Sequence, residues 1–508
     1  MELEERVNLV IKKINLFIRV IGLIIFIGII LTFLLGTIKI FSYEFTSKSA
    51  MWVVWVLWWP LLYLTLFFLG RSWCGFLCPL RFTNQLGNKL NEGKLINFRK
   101  WSFIPFVLFF IVVYIEQISG LFLSTKITLS FFIGFLILSI LTGIFLKRGL
   151  FCRLFCPIGT LLGVFSRLSI IGVRVRKKIC EKCSEKWCIL GRKEQPCPMF
   201  NDVPNIQSNK DCLICTNCIK NCPYSSAHIG ITRPGKEIEN RINFTLSESY
   251  FIIALLGLSF ILTNKGVFLI RKIILLFNLE VTGYLLRGFD FVFSIGIFLL
   301  VFSLFGIVCA KLNQIKLKGF LTDSGYYYLP IVFGIMFFTI FFGFLGPTLH
   351  FKEGFISYSK VIILIISGMW SAYLIKKAYS NFFVKILQLI FLIIIFSLWA
   401  LLLIPANIDT QNTEVTVTPG EIIHMDAYSM GFLPNIINIK VDTKTVMEIK
   451  NLDFTHSFDI DELNVHEILK GDSTTLVEFT PKKTGEFLFT CNLPGHTEAG
   501  MKGKIVVN

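Results

Sequence analysis

Residues Cys212-Leu213-Ile214-Cys215-Thr216-Asn217-Cys218-Ile219-Lys220-Asn221-Cys222-Pro223 form a complete C-x2-C-x2-C-x3-C-P run. Upstream, Cys180, Cys183, Cys188 and Cys197-Pro198 form a looser version, C-x2-C-x4-C-x8-C-P. Three thiolates on a tight loop grip one corner-shared cube of iron and sulfide, and the fourth must come from elsewhere. Where two such runs stand together, the Cys before Pro in each ligates the cluster of the other. The spacing therefore assigns Cys180, Cys183, Cys188 and Cys222 to one 4Fe–4S cluster, and Cys212, Cys215, Cys218 and Cys197 to a second. Each Pro blocks helix continuation and fixes the chain as it leaves the site. The competing reading is a pair of zinc knuckles, because C-x2-C pairs also bind zinc. Eight cysteines in two runs, each closing with Cys-Pro, weigh against it. The longer first run departs from the usual spacing, which bears on that cluster's properties rather than its existence.

The surroundings of this insert are those of a membrane protein. Of 508 residues, 54% are hydrophobic and only 16% charged, with a mean hydropathy of +0.68. An ordinary soluble domain is roughly half apolar and about a quarter charged. The formal charge of +17 does not point to nucleic acid, since no basic face is interleaved with exposed aromatics. Most Lys and Arg sit in short loops between apolar runs, where positive charge sets orientation. Twelve of the fourteen cysteines fall between Cys74 and Cys222. A disulfide scaffold would be short and polar, so clustered thiols read as metal ligands.

Runs of roughly 20 apolar residues cross a hydrocarbon core about 30 Å thick. Nine are expected, near 20–41, 51–70, 101–120, 127–146, 249–263, 288–310, 327–346, 358–375 and 382–404, with 266–279 interfacial or re-entrant. The segment 71–100 carries Arg71, Arg81, Lys89, Lys94, Arg99 and Lys100 against Glu92 alone, and 147–178, 311–318 and Lys376–Lys377 are also basic. Loops 42–50, 117–126 and 347–357 are nearly neutral. All basic loops share one side if the N-terminus is cytoplasmic, and nine spans then export the C-terminus. The first span lacks a small-residue cleavage site and reads as an uncleaved anchor.

Two further motifs stand at span ends. Trp73-Cys74-Gly75-Phe76-Leu77-Cys78-Pro79 follows the second span, and Phe151-Cys152-Arg153-Leu154-Phe155-Cys156-Pro157 the fourth. They align residue for residue, which marks spans one–two and three–four as a parallel repeat. Cysteines at i and i+4 share a helical face. Cys74, Cys78, Cys152 and Cys156 could thus form a further metal, redox or dithiol site, against the bland reading of small residues packed at helix ends. After Pro157, Leu161, Leu162, Phe165 and Leu168 have helical spacing suited to the membrane interface. Cys309 has no partner at such spacing and reads as a buried apolar residue.

With these motifs in view, residues 1–235 resemble the membrane ferredoxins of the NapH and NosR type, and more distantly the CcoG type. The resemblance implies paired membrane C-x3-C-P motifs and two cytoplasmic 4Fe–4S clusters. NapH- and NosR-type proteins support periplasmic nitrate and nitrous-oxide reduction, and CcoG-type proteins handle copper for oxidase assembly. The resemblance covers less than half of the chain and does not fix the pathway.

After Pro405 the composition changes. Short alternating runs such as Val415–Val417, Ile436–Val441, Thr445–Ile449 and Leu476–Phe479 give the pattern of a β-sandwich. Within it stand His456 and the sequence Cys491-Asn492-Leu493-Pro494-Gly495-His496-Thr497-Glu498-Ala499-Gly500-Met501. Two imidazoles, one thiolate and a weak axial Met make the ligand set of type 1 copper. The C-x4-H-x4-M spacing resembles cupredoxins such as rusticyanin and sulfocyanin. A binuclear centre would need a second Cys in this loop, and none is present. His424 and His466 read as ordinary satisfied polar groups, and His228 and His350 are assigned nothing.

The expected architecture is a multi-domain membrane protein. It comprises a four-span region (1–172) with the paired motifs, a ferredoxin-like insert (173–240), a five-span region (249–405) and an all-β cupredoxin domain (411–508). With no general acid, nucleophile or substrate pocket evident, the chain reads as an oxidoreductase-type electron carrier or subunit of the cell (inner) membrane. It would link cytoplasmic 4Fe–4S clusters, or the quinone pool, with an extracytoplasmic copper centre serving a respiratory reductase or oxidase. A quinone site, a redox partner subunit and an extracytoplasmic donor or acceptor are the partners implied. The rival class is copper reduction and delivery for cuproenzyme assembly, and a third is a redox-sensing accessory factor.

Overall fold

The computed structural model describes residues 2–40, 43–90, 93–94, 101–119, 121, 124–147, 149–263, 266, 270, 283–348, 353–403, 414–418, 420–428, 431–451, 455–471, 473–493, 497 and 501–508. His350, Pro405, His496 and most of the interfacial segment expected at 266–279 lie outside the described residues. The chain divides into two compact units, Met1–Leu255 with Leu299–Phe337 and Ile366–Ile393, and Leu256–Phe298 with Phe338–Ile365 and Ile394–Asn508.

Among the described residues six helices are long and apolar enough to cross a membrane: Phe17–Leu35, Ser47–Leu69, Thr125–Phe145, Gly288–Asn313, Phe355–Ala378 and Phe382–Leu403. A seventh candidate is the pair Leu317–Tyr327 and Leu329–Leu345, bent by 43°. The other two segments expected to span form helices of 16 residues, Ile104–Ser119 and Leu246–Ile261. At about 1.5 Å per residue each reaches only about 24 Å, less than a full hydrocarbon core. The first helix also differs from expectation. It runs Glu2–Leu35 and stops at Gly36, whose φ of +80° only glycine adopts freely. An antiparallel hairpin follows, β1 Thr37–Ile40 with β2 Tyr43–Thr46.

In the first unit, the helix Pro79–Leu90 buries Arg81, Thr83, Asn84 and Gly87. It packs on the helix Thr125–Phe145, where Asn84 Nδ2 donates to Ser139 O at 2.8 Å and the Thr83 and Ser139 hydroxyls lie 2.6 Å apart. The helix Pro157–Phe165 is not interfacial. Leu161, Leu162, Phe165 and Leu168 are all buried, and Phe165 packs against Tyr63 and Phe333.

The cysteine-rich insert is bracketed by an antiparallel pair, β3 Ile171–Val175 and β4 Ala227–Ile231. A buried ionic node ties it down. Arg167 Nε donates to Glu248 Oε1 at 2.7 Å and its Nη1 lies 3.7 Å from Glu237 Oε2, while Lys210 of the insert also pairs with Glu248. Asn209 N and Ser208 Oγ donate to Glu237, each at 2.7 Å. With Arg174 Nη2 3.6 Å from Glu237 Oε1, every carboxylate oxygen is charge-partnered, which is what makes buried ions tolerable.

In the second unit, residues 414–508 form two sheets. One has the order β11-β10-β13-β14-β8-β5 and the other β12-β9-β6-β7. The strands are β5 Glu414–Thr416, β6 Ile422–Tyr428, β7 Gly431–Leu433, β8 Ile436–Ile439, β9 Thr445–Asn451, β10 His456–Ile460, β11 Val465–Leu469, β12 Thr474–Phe479, β13 Gly485–Thr490 and β14 Lys502–Val507. Period-two alternation sends Met447 and Ile449 of β9 and Ile505 and Val507 of β14 into one core. At its centre Phe432, Phe458 and Phe489 meet with centroids 5.1–5.7 Å apart. This is the sandwich expected from the alternating runs.

Candidate iron–sulfur and copper centres

The two Cys runs interleave in space. Cys197 of the upstream run joins Cys212, Cys215 and Cys218 around one pocket, with Val173, Val203, Ile206 and Leu213 among its apolar walls. Burial pushes the Cys212 thiol up to about 12, with Cys215 and Cys197 adding to the shift against the Ile214 N–H. Burial also holds Cys218 well above the usual thiol range, reinforced by Cys215, Cys212, Cys197 and Cys188. Such thiols keep their protons until a metal displaces them. Four sulfur donors around an apolar pocket fit an iron–sulfur cluster.

Cys180, Cys183, Cys188 and Cys222 also come together, with Cys188 and Cys222 packed against the same core as Cys212 and Cys218. Burial, followed by Cys222, Cys180 and Cys183, raises Cys188 to about 11. Ser226 N donates to Cys222 Sγ at 3.2 Å, and Ser226 Oγ lies 3.1 Å from Cys180 Sγ. Only the tertiary fold brings Cys222 back to Cys180, through their shared contact with Ser226.

The membrane-repeat thiols converge too. Cys74 lies in the helix Ser72–Phe76. Cys152 lies in a π-helical turn, Phe151–Phe155, and Cys156 caps the helix Pro157–Phe165, its Sγ accepting from Gly159 N at 3.2 Å. Burial first, then Cys152, Cys78 and Cys74, pushes Cys156 well above the usual range. Burial, then Cys78 and Cys74, takes Cys152 up to about 12.

Sequence reasoning missed two residues here. Arg71 and Arg81, counted from sequence as loop charge, are only 2% and 4% exposed. Arg71 acts electrostatically on Cys74 and Cys152, and Arg81 on Cys78 and Cys152. Their positions directly beside the two Cys of the first motif were the available signal.

In the sandwich, His456, Cys491 and Met501 are fully buried. His456 opens β10, Cys491 follows β13 and Met501 precedes β14, so neighbouring strands deliver all three. Cys491 Sγ lies 3.8 Å from His456 Nδ1 and accepts from Ser457 N at 3.2 Å. Cys491 N donates to Met501 O at 3.1 Å. Beneath, Ser457 Oγ donates to Asp459 Oδ2 at 2.5 Å and accepts from Asn492 N at 2.8 Å, and Thr497 Oγ1 donates to Cys491 O at 2.7 Å. His456, Cys491 and Met501 supply a nitrogen, a thiol and a thioether at one place, the donor chemistry of a type 1 site. His496, the fourth expected ligand, lies outside the described residues. His466 and His424 pair with Asp459 and Glu448, and Cys309 is buried against Phe320 and Val384.

Residues 390–507 match the family model described as a cupredoxin-like domain. Residues 51–97 and 127–178 match that of a 4Fe–4S binding domain. The chain belongs to the membrane 4Fe–4S polyferredoxins, with a cupredoxin-like domain fused to them. The polyferredoxin match falls on the two halves of the membrane repeat, each with its C-x3-C-P run. An uncharacterized protein of Methanocaldococcus jannaschii is 28% identical over 167 residues, covering 31% of this chain and 63% of its own length. The chain thus spans a little under two thirds of that relative. Cytochrome c oxidase subunit 2 of Thermus thermophilus is 32% identical over 102 residues, 20% of this chain and 75% of that protein. YccM of Escherichia coli, provisionally named an electron transport protein, is 25% identical over 225 residues, 38% of this chain and 59% of its own.

Proposed function

We propose that this polyferredoxin–cupredoxin moves electrons across a membrane, between cytoplasmic 4Fe–4S clusters or the quinone pool and an extracytoplasmic type 1 copper centre, in the service of a respiratory reductase or oxidase. The observation that carries the reading is the presence in one chain of two one-electron donor sets. One is the thiol-lined cavity of Cys197, Cys212, Cys215 and Cys218. The other is the buried trio His456, Cys491 and Met501. The electron-transport name of YccM and the likeness to an oxidase subunit support it.

Each residue set has a definite task. Cys180, Cys183, Cys188 and Cys222 would hold one cluster, and Cys197, Cys212, Cys215 and Cys218 a second. His456, Cys491, His496 and Met501 would hold copper, which supplies rapid one-electron chemistry when bound. The N–H of Ser457 stabilises the Cys491 thiolate without protonating it. The Asp459–Ser457–Asn492 bonds fix the loop and so limit the rearrangement that a change of metal charge would demand. Were all nine expected segments to cross, the bent pair and both 16-residue helices included, the basic loops would lie in the cytoplasm and the sandwich outside.

The test is a redox titration of the full chain in membranes. Reversible bleaching of a thiolate–copper band, coupled to iron–sulfur signals in the presence of quinol, is expected. Copper that leaves for an apo-oxidase domain on reduction, with no sustained turnover, would overturn the reading in favour of copper delivery.

A further inference from the structure

We infer that the loop carrying Cys180, Cys183 and Cys188 is the docking face for a small, soluble, acidic one-electron carrier protein, which reduces the cluster those thiols and Cys222 would hold. This donor belongs to the electron-transfer reading proposed above, on which the inference rests.

The two cysteine sets of the insert differ in exposure. Cys212, Cys215 and Cys218 are each 8% exposed, whereas Cys180, Cys183, Cys188 and Cys222 are only half-buried. An electron enters most readily where the protein shell around a centre is thinnest, so the half-buried set is the one within a partner's reach. The surface around it carries mostly one sign of charge. Lys177, Lys178, Lys182, Lys186, Arg192 and Lys193 are all exposed, and none of them pairs with a carboxylate among the described residues. Of the neighbouring acids, Glu185 accepts from the Tyr224 hydroxyl at 3.0 Å and Glu194 pairs with Lys220 at 2.9 Å. That leaves Glu181 to face six cations. The Arg192 guanidinium stacks on Trp187 at 3.8 Å, which holds its charge close to Cys188.

These cations are not those of a span end. Ile170 N donates to Phe67 O of the second span at 2.9 Å. The five residues of β3 that follow carry the chain about 16 Å from that contact before Lys177 is reached. Two large apolar side chains stand among the charges, Leu190 at 71% exposed and Tyr224 at 49%, each two positions beyond a thiol of the half-buried set. An apolar contact with a charged rim is the anatomy of a protein interface. Unpaired rim charges act mainly on the rate of encounter, and their sign selects an acidic partner. The transfer moves one electron and no proton. The carrier's reduced centre loses it, the oxidised cluster gains it, and no bond forms or breaks.

The experiment uses the full chain, purified anaerobically in nanodiscs of phosphatidylcholine, with a photoreduced acidic 2Fe–2S ferredoxin as the probe. The second-order rate at which the probe reduces the insert clusters should fall steeply as salt rises. At low salt it should drop at least about tenfold in the variant K177E/K178E/K182E/K186E. The methyl viologen radical, a small cation that needs no docking, should reduce that variant at least as fast as wild type. A ferredoxin rate indifferent to salt and equal in both proteins would overturn the inference while leaving the clusters standing. A second readout needs no cluster. The ferredoxin should shield Lys177, Lys178, Lys182 and Lys186 from an amine-reactive label, and phosphatidylglycerol in the nanodiscs should not. Shielding by phosphatidylglycerol but not by ferredoxin would overturn the inference in favour of a lipid surface. Should the clusters fail to assemble, the electron-transfer reading falls and the labelling still decides the docking face; it decides equally if the fourfold variant does not fold.

Discussion

The Sγ of Cys491 lies 3.8 Å from Nδ1 of His456, both fully buried, although 34 residues separate them along the chain. β10 and β13 are direct neighbours in the six-stranded sheet, paired at Asp459 and Thr490. The pairing sets the two side chains next to each other.

From this follows the first prediction. Residues 411–508, which have their own core, should bind one copper with an intense visible thiolate-to-copper absorption. Cys491→Ser should abolish the band, because a hydroxyl is neither soft nor readily ionised. Met501→Leu should keep the copper and raise its potential. A colourless oxidised copper complex of the wild type would refute a type 1 site.

The insert gives the second. Cys215→Ser should remove about four irons per chain and one iron–sulfur signal, while Cys309→Ala, which alters a packing residue, should remove none. Iron and sulfide assays on anaerobic protein read this directly. Stoichiometric zinc in place of iron would sink the insert assignment.

Acid should loosen the seat of the insert. Burial alone would raise Glu248, but Arg167 and Lys210 overcome it and hold the carboxyl at about 2, below its ordinary 4.5. A carboxylate with a depressed folded-state value contributes stability above the unfolded value and loses it as pH falls towards the folded one. Stability should therefore fall between pH 4.5 and about 2. Glu248→Gln, which leaves Arg167 under-compensated, should cost about 3–5 kcal/mol at neutral pH and flatten that dependence. Denaturant titrations of both proteins across this range test it.

Electron passage across the bilayer should need help. Among the described residues no His lies in a candidate span, so none there offers bis-His ligation to a haem, and about 30 Å of hydrocarbon is too wide for one step. In liposomes free of quinone and partner subunits, reducing the iron–sulfur side should leave the copper oxidised. Rapid copper bleaching would argue for a further cofactor inside the chain.

Sequence by itself determined which chemistries are available. Cysteine spacing is local, and a C-x2-C-x2-C loop can close on little besides a metal centre. The meeting of Cys197 with Cys212, Cys215 and Cys218 is a long-range contact that spacing alone suggests only by likeness to other paired runs. The C-x4-H-x4-M segment and the alternating runs after Glu414 announced the copper sandwich, since side-chain period two is a property of the strand itself. The tertiary structure alone decided what depends on long-range packing. Apolar length could not separate the full crossings from the 16-residue helices Ile104–Ser119 and Leu246–Ile261, because capping and polar neighbours set where a helix ends. The helical spacing of Leu161, Leu162, Phe165 and Leu168 fits a membrane surface or a core equally well, and contact with Tyr63 and Phe333 chose the core. The sequence showed Arg71 and Arg81 only as charges in a loop. Folding buried both beside the C-x3-C-P thiols, where Arg71 donates to Lys210 O and Arg81 to Gly75 O.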